Sequence, residues 1–215
     1  MNIRLSAAVC AAALGCAALG LSAAAFAQAP PTATEVSADK LALTNYPAKD
    51  KKPLTVSTPA FKDMGDIPFE NTQYRGNVFP GLEWSKGPKG TQSYAIIMQD
   101  PDGNFKGDAI LHWTLFNIPS SVTKLDAGMA MPPPGSMYGP NVRGPNHAYM
   151  GPRTPAGPKH RYHLQVFALD TILQGDPNLT WDQLKAAISG HVLASGQVIG
   201  LGAVDPNAPP PKPAG

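Results

Sequence analysis

Beyond residue 16 the sequence contains no cysteine, because its two, Cys10 and Cys16, both fall within the first 27 residues. Without that stretch there is no thiol, which excludes a disulfide framework, a cysteine-ligated metal and a cysteine nucleophile. Charge is sparse as well. The 17 basic and 15 acidic residues give a formal net charge of +2, with no Lys/Arg stripe interleaved with aromatics. Nucleic acid, which is gripped through clustered cations on its phosphates, is therefore not an expected partner. No basic amphipathic helix is visible that would attach the chain to a membrane surface. The patterns G-x-S-x-G and H-E-x-x-H are missing, and the 7 methionines form no spaced cluster. The sequence thus implies no metal and no cofactor, and an enzyme is not the expected reading.

Long apolar runs are confined to one place. Ala7 to Leu21 is unbroken, Arg4 precedes it, and Ala25-Phe26-Ala27 follows with small residues where a signal peptidase reads. This is the pattern of a secretory signal peptide over residues 1–27, with Gln28 the first mature residue and an exported, periplasmic or secreted destination. The run is short of the ~20 apolar residues a membrane span needs, so no membrane segment is expected after processing. Leu14-Gly15-Cys16 offers a weaker alternative as a lipoprotein cleavage site.

Composition divides the remainder. Residues 28–52, rich in Ala, Pro, Thr and Lys, read as an arm or linker. Residues 205–215, with five prolines, read as a disordered tail that cannot bury enough apolar surface to offset its ordering entropy. Between them, residues 53–204 are a natural size for one hydrophobic core.

Inside that core the signals are of strand type. Leu54 to Ser57 alternates. Ser93 to Gln99 is a β-rich apolar run expected to stop at the turn residues Asp100-Pro101-Asp102-Gly103. Ile110 to Ile118 and His160 to Leu169 are further strands. Met131 to Pro158 holds eight prolines and five glycines and is expected to be irregular and surface-lying. One helix is expected near the carboxyl end, where Thr180 and Gln183 form a capping box and Trp181, Leu184, Ile188 and Val192 recur at helical spacing. The fold class is mostly β.

Polar groups gather where these strands meet loops. Period-two alternation puts Ile110, His112, Thr114 and Phe116 on one face of their strand, with Leu111, Trp113 and Leu115 on the other. His160 and Tyr162 share one face of the last strand; Arg161 and His163 share the opposite one, so His160 and His163 do not form a metal pair. A strand end beside a glycine loop suits an anion, since backbone N–H groups converge there. Two imidazoles add donors whose charge changes near neutral pH, and Asp100 can fix the orientation of one of them. Read from these residues alone, a satisfied core histidine and a plain Asp-Pro-Asp turn remain the competing explanation.

The order of several motifs adds information. Ser57-Thr58-Pro59-Ala60-Phe61 and Ile67-Pro68 are followed by Leu82-Glu83-Trp84-Ser85, then Ser93 to Met98 running into Asp100-Pro101-Asp102. His112-Trp113, Asn117-Ile118-Pro119, Tyr149 with Gly151-Pro152, and Gly157 with His160-Arg161-Tyr162 come next, ending at Ala168-Leu169-Asp170. This series, across about residues 54 to 200, resembles the phosphatidylethanolamine-binding protein family in its bacterial, Raf-kinase-inhibitor-like branch. The resemblance implies a β-sandwich of two antiparallel sheets with a few short helices and an anion pocket at one end. It also implies the pocket residues: Asp100, Asp102, His112, Gly151, Pro152, His160 and Tyr162, with Arg161 turned away in a structural pair. Gly103-Asn104 depart from the family's usual Ala-Pro, which leads one to expect a looser rim.

The leading expectation is an exported binding protein whose pocket takes a phosphate, a carboxylate or a lipid head group. The alternatives are a protein-directed inhibitor or regulator, whose partner the sequence does not name, and a hydrolase using the same His/Asp cluster.

Overall fold

The computed structural model describes residues 38–50 and 52–208; the expected signal peptide lies outside them. Among the described residues the strands run in chain order as β1 (Val56–Ser57), β2 (Gly65–Asp66), β3 (Leu82–Trp84), β4 (Ser93–Phe105), β5 (Asp108–Pro119), β6 (Lys124–Leu125), β7 (Met137–Tyr138), β8 (His160–Leu169) and β9 (Val192–Gly202). Helix α1 spans Ala42–Asn45 and α2 spans Trp181–Ile188. A small sheet has the order β1-β3-β6, and a six-stranded sheet the order β2-β9-β8-β4-β5-β7. Every pairing is antiparallel except that of the two-residue edge strand β2 with β9.

Alternation along the long central strands divides the core in two. On β4, Tyr94, Ile96 and Met98 face the small sheet and meet Leu82, Trp84 and Leu125. Ala95 and Ile97 face the other way, where Phe167 and Leu169 of β8 meet Leu184 and Ile188 of α2. The protein is thus a two-sheet sandwich with its helices on the outer face of the large sheet. Helix α2 begins at the expected capping box, Thr180 accepting from the Gln183 backbone while the Gln183 side chain accepts from the Thr180 backbone.

Several expectations change. The first strand of the pocket region does not stop at Asp100. It continues to Phe105 and turns at Lys106 and Gly107, both at positive φ. The register jumps from Asp100↔Ile110 to Phe105↔Asp108, so Pro101, which has no N–H for a ladder, sits in an irregular stretch. Val192 opens β9 rather than closing the helical face, because α2 ends at Ile188 and Gly190 reverses the chain at φ +77. The long proline-rich segment contributes β7 and buries Asn141, Met150 and Thr154, so it does not simply lie on the surface.

Both flanks of the domain are engaged. Within the expected arm, Leu41 and Ala42 are buried. Ala42 donates its backbone N–H to Gln99 Oε1 at 2.8 Å, and Leu43 donates to Gln165 Oε1 at 2.7 Å. Two buried glutamines on the outer face of the large sheet thereby meet the otherwise unpaired amides of a one-turn helix. At the other flank Asp205, inside the expected disordered tail, is buried and paired with Arg75 at 2.6 Å.

Candidate anion-binding site

The site is built by irregularities in otherwise regular strands. On β5, Met98 pairs with Trp113 and Gln99 with Leu111, leaving His112 as the extra residue of a β-bulge. A bulge interrupts strict alternation, so the sequence-based face assignment fails at this point. His112 does not side with Phe116, which packs in the outer core. Its ring meets Tyr162 edge-on at 5.1 Å, on the inter-sheet side that also buries Trp113. On β8 the alternation is regular: His160 lies stacked 6.5 Å from Tyr162, while His163 bonds to Gln197 on the opposite face.

Asp100 joins these elements. Its Oδ1 accepts from the backbone N–H groups of Asp102 and Gly103 at 3.0 and 2.9 Å, and its Oδ2 lies 2.9 Å from His160 Nδ1. Both oxygens of the buried side chain are engaged, and the Oδ2 contact fixes the orientation of the His160 ring. With Nδ1–H given to Asp100, Nε2 is the remaining polar atom of that ring. The hydrogen bond to Asp100 raises the His160 pKa above its ordinary value, against an opposing effect of burial.

His112 is held differently. Its Nδ1 lies 3.1 Å from the Met150 carbonyl, which can only accept, so the proton resides on Nδ1. Burial pushes the ring's pKa down, and the neutral imidazole presents Nε2 as a bare acceptor. That atom is buried and has no partner within the protein. Unpaired buried polar atoms are uncommon, and this one belongs to a residue that borders a cleft. The Tyr162 hydroxyl is 2.9 Å from Thr154 Oγ1, and burial holds its pKa above the ordinary phenol value, so it stays protonated.

Asp102 belongs to a second pair. Arg161 donates to it from its backbone N at 2.7 Å, from Nε at 3.0 Å and from Nη2 at 2.6 Å. Burial acts to raise the Asp102 pKa, but these bonds outweigh it and hold the carboxyl below its usual range. Both carboxylate oxygens are used, so Asp102 shapes the wall. Gly103 packs closely against the neighbouring strand: a Cβ there would meet Ile110 Cδ1 at 2.4 Å.

His112, His160, Tyr162, Asp100 and Asp102 all border one open cleft of about 550 Å³. Gly151 and Pro152 lie buried behind it. The Gly151 N–H donates to Asn77 Oδ1 at 2.7 Å, while the Gly151 and Pro152 carbonyls accept from Gln73. A Cβ on Gly151 would meet the Asn71 carbonyl at 2.3 Å, so glycine is required for this close approach. The cleft also has walls that motif reading missed, namely Gln73, Val142, Arg143, Met150, Arg153 and Pro155. A signal for the arginines was present: Met131 to Pro158 contains Arg143 and Arg153 but no lysine and no acid.

Residues 57–202 match the family model described as phosphatidylethanolamine-binding protein. The chain belongs to that family. It is 39% identical over 153 residues to a UPF0098 protein of Methanothermobacter thermautotrophicus, covering 69% of this chain and 97% of that one. It is 33% identical over 172 residues to LppC of Mycobacterium tuberculosis, named as a candidate lipoprotein, covering 79% of each chain. Among solved structures, the family homologue CT736 of Chlamydia trachomatis gives a TM-score of 0.65 at 27% identity, over 71% of this chain and 99% of that one. YbcL of E. coli, described as a member of the mammalian family, gives 0.65 at 26% identity, over 72% and 100%. The two-sheet fold expected from the motifs is the family's fold.

Proposed function

We propose that the protein is an exported binding protein that holds an anionic group, a phosphate or carboxylate of a small ligand or lipid head group, between His112 and His160. The observation that carries this reading is the unpartnered His112 Nε2, buried at a cleft that also takes in the Asp100-oriented His160 ring. Family membership favours a ligand of this type. Export is supported by the apolar leader and by the resemblance to a relative named as a candidate lipoprotein. No helix among the described residues is long and apolar enough to cross a membrane.

Binding is favoured over hydrolysis because the carboxyl groups of Asp100 and Asp102 are already engaged by His160 and Arg161, which leaves them poorly placed to activate a water. Thermal unfolding with added inorganic phosphate tests the reading. Ligand linkage stabilises by roughly 2.7 kcal/mol at a hundred times Kd, so the midpoint rises with phosphate concentration. In His160→Ala the protection disappears. No shift at millimolar phosphate in the wild-type protein would refute the proposal.

A further inference from the structure

The charges inside the cleft are already matched. Asp100 faces His160, Asp102 faces Arg161, and the buried His112 is neutral. Arg143 and Arg153 stand apart from this balance. Both border the same cleft, both are exposed, and among the described residues neither forms an ion pair with a carboxylate. An unpaired surface arginine is ordinarily unremarked, because such side chains are well solvated.

These two, however, are tethered at the mouth. Arg143 Nη2 donates to Gln73 Oε1 at 3.0 Å, and the same glutamine donates its Nε2 to the Gly151 carbonyl at 2.6 Å. The guanidinium is thereby tied to the backbone behind His112. Arg153 lies over the Tyr74 ring at 5.3 Å, and the Tyr74 hydroxyl donates to the Thr154 carbonyl. Planar guanidinium groups held in this way are suited to carboxylate or phosphate oxygens, and pre-positioning reduces the entropy lost on binding.

Resting on the anion-site reading above, we propose that Arg143 and Arg153 bind a second acidic group on the ligand. The ligand class is then a phosphate ester bearing a further carboxylate or phosphate. One anionic group sits against the two imidazoles, and the other remains at the rim between the arginines. A zwitterionic phosphoethanolamine group lacks that second acid and leaves the rim cations unmatched.

Phosphoserine and phosphoethanolamine differ by a single carboxylate, so they form a matched pair of probes for titration calorimetry on the full mature chain. Phosphoserine is expected to bind roughly tenfold more tightly, with the preference shrinking as salt is raised. In Arg143→Gln/Arg153→Gln, whose unliganded melting temperature should match wild type because both positions are exposed, the preference falls to less than about threefold. Co-flotation with vesicles of phosphatidylcholine and phosphatidylserine, against phosphatidylcholine and phosphatidylethanolamine, identifies the source. Selective flotation with phosphatidylserine supports a lipid head group, and preference in calorimetry without flotation supports a soluble ester. Equal affinity for the two soluble probes, or an equal loss for both in the double variant, overturns the second-acid proposal while leaving the anion site standing. Failure of inorganic phosphate and both esters to bind removes the anion site itself, and this proposal with it.

Discussion

Two histidines on neighbouring parts of one cleft are shifted in opposite directions, one by its carboxylate partner and the other by burial. The hydrogen bond to Asp100 favours the charged form of His160, whereas deep burial favours the neutral form of His112 against the opposing pull of Asp100 and the Met150 carbonyl. An anion at Nε2 of His112 reverses that preference, since a fixed negative charge favours the imidazolium. The complex therefore carries one proton more than the separated partners, and affinity rises as pH falls. Sulfate, which does not titrate in this range, isolates the protein's contribution. Sulfate affinity is expected to increase by up to about tenfold per pH unit between pH 8 and 6, with the proton uptake read by calorimetry in buffers of different ionisation enthalpy. A pH-independent affinity would contradict the assignment. Asp102 makes a different prediction. Arg161 is 24% exposed and gives three hydrogen bonds to Asp102, so Asp102→Ala removes the acceptor of all three and should cost roughly 3 kcal/mol in urea unfolding.

At the scale of elements, glycine in β9 shows why part of the fold was hard to read from sequence. Val192 to Gly202 alternates cleanly between buried and half-buried, yet Gly196, Gly200 and Gly202 occupy the buried positions that a strand signal would fill with Val or Ile. The reason is close approach by neighbouring layers: a Cβ at Gly196 would meet the Leu54 carbonyl at 2.1 Å, and one at Gly200 would meet Ile67 Cγ1 at 2.5 Å. The bulge at His112 was invisible for a related reason, because alternation is counted along one strand whereas a bulge is defined by the partner strand. Local signals fared better where the chemistry is local, as at the Thr180–Gln183 cap and along the regular strand from His160 to Leu169. Gly202 links element to site. A Cβ there would lie 2.4 Å from Tyr162 Cε2 and 2.7 Å from Thr154 Oγ1. Gly202→Ala is therefore expected to displace Tyr162 and weaken phosphate binding by about tenfold, measurable by calorimetry; unchanged affinity would show that Tyr162 does not shape the site.

At the scale of the molecule, the sandwich brings four distant stretches of chain to one end. The Asp-Pro-Asp segment, the His-Trp bulge, the Gly-Pro loop and the start of β8 converge because β5, β4 and β8 are adjacent in the large sheet and the long loop crosses their ends. The sequence order of these motifs made most of this convergence legible. The division of labour was not legible: Asp100 and Asp102 serve as partners of His160 and Arg161, and Gly151 and Pro152 stand behind the wall. Which groups are free to meet a ligand depends on three-dimensional pairing, and no one-dimensional spacing reports it. A crystal structure of the protein grown in phosphate measures the central claim most directly. The account predicts tetrahedral density within hydrogen-bonding distance of Nε2 of both His112 and His160. Well-ordered rings at saturating phosphate with no anion between them would contradict it.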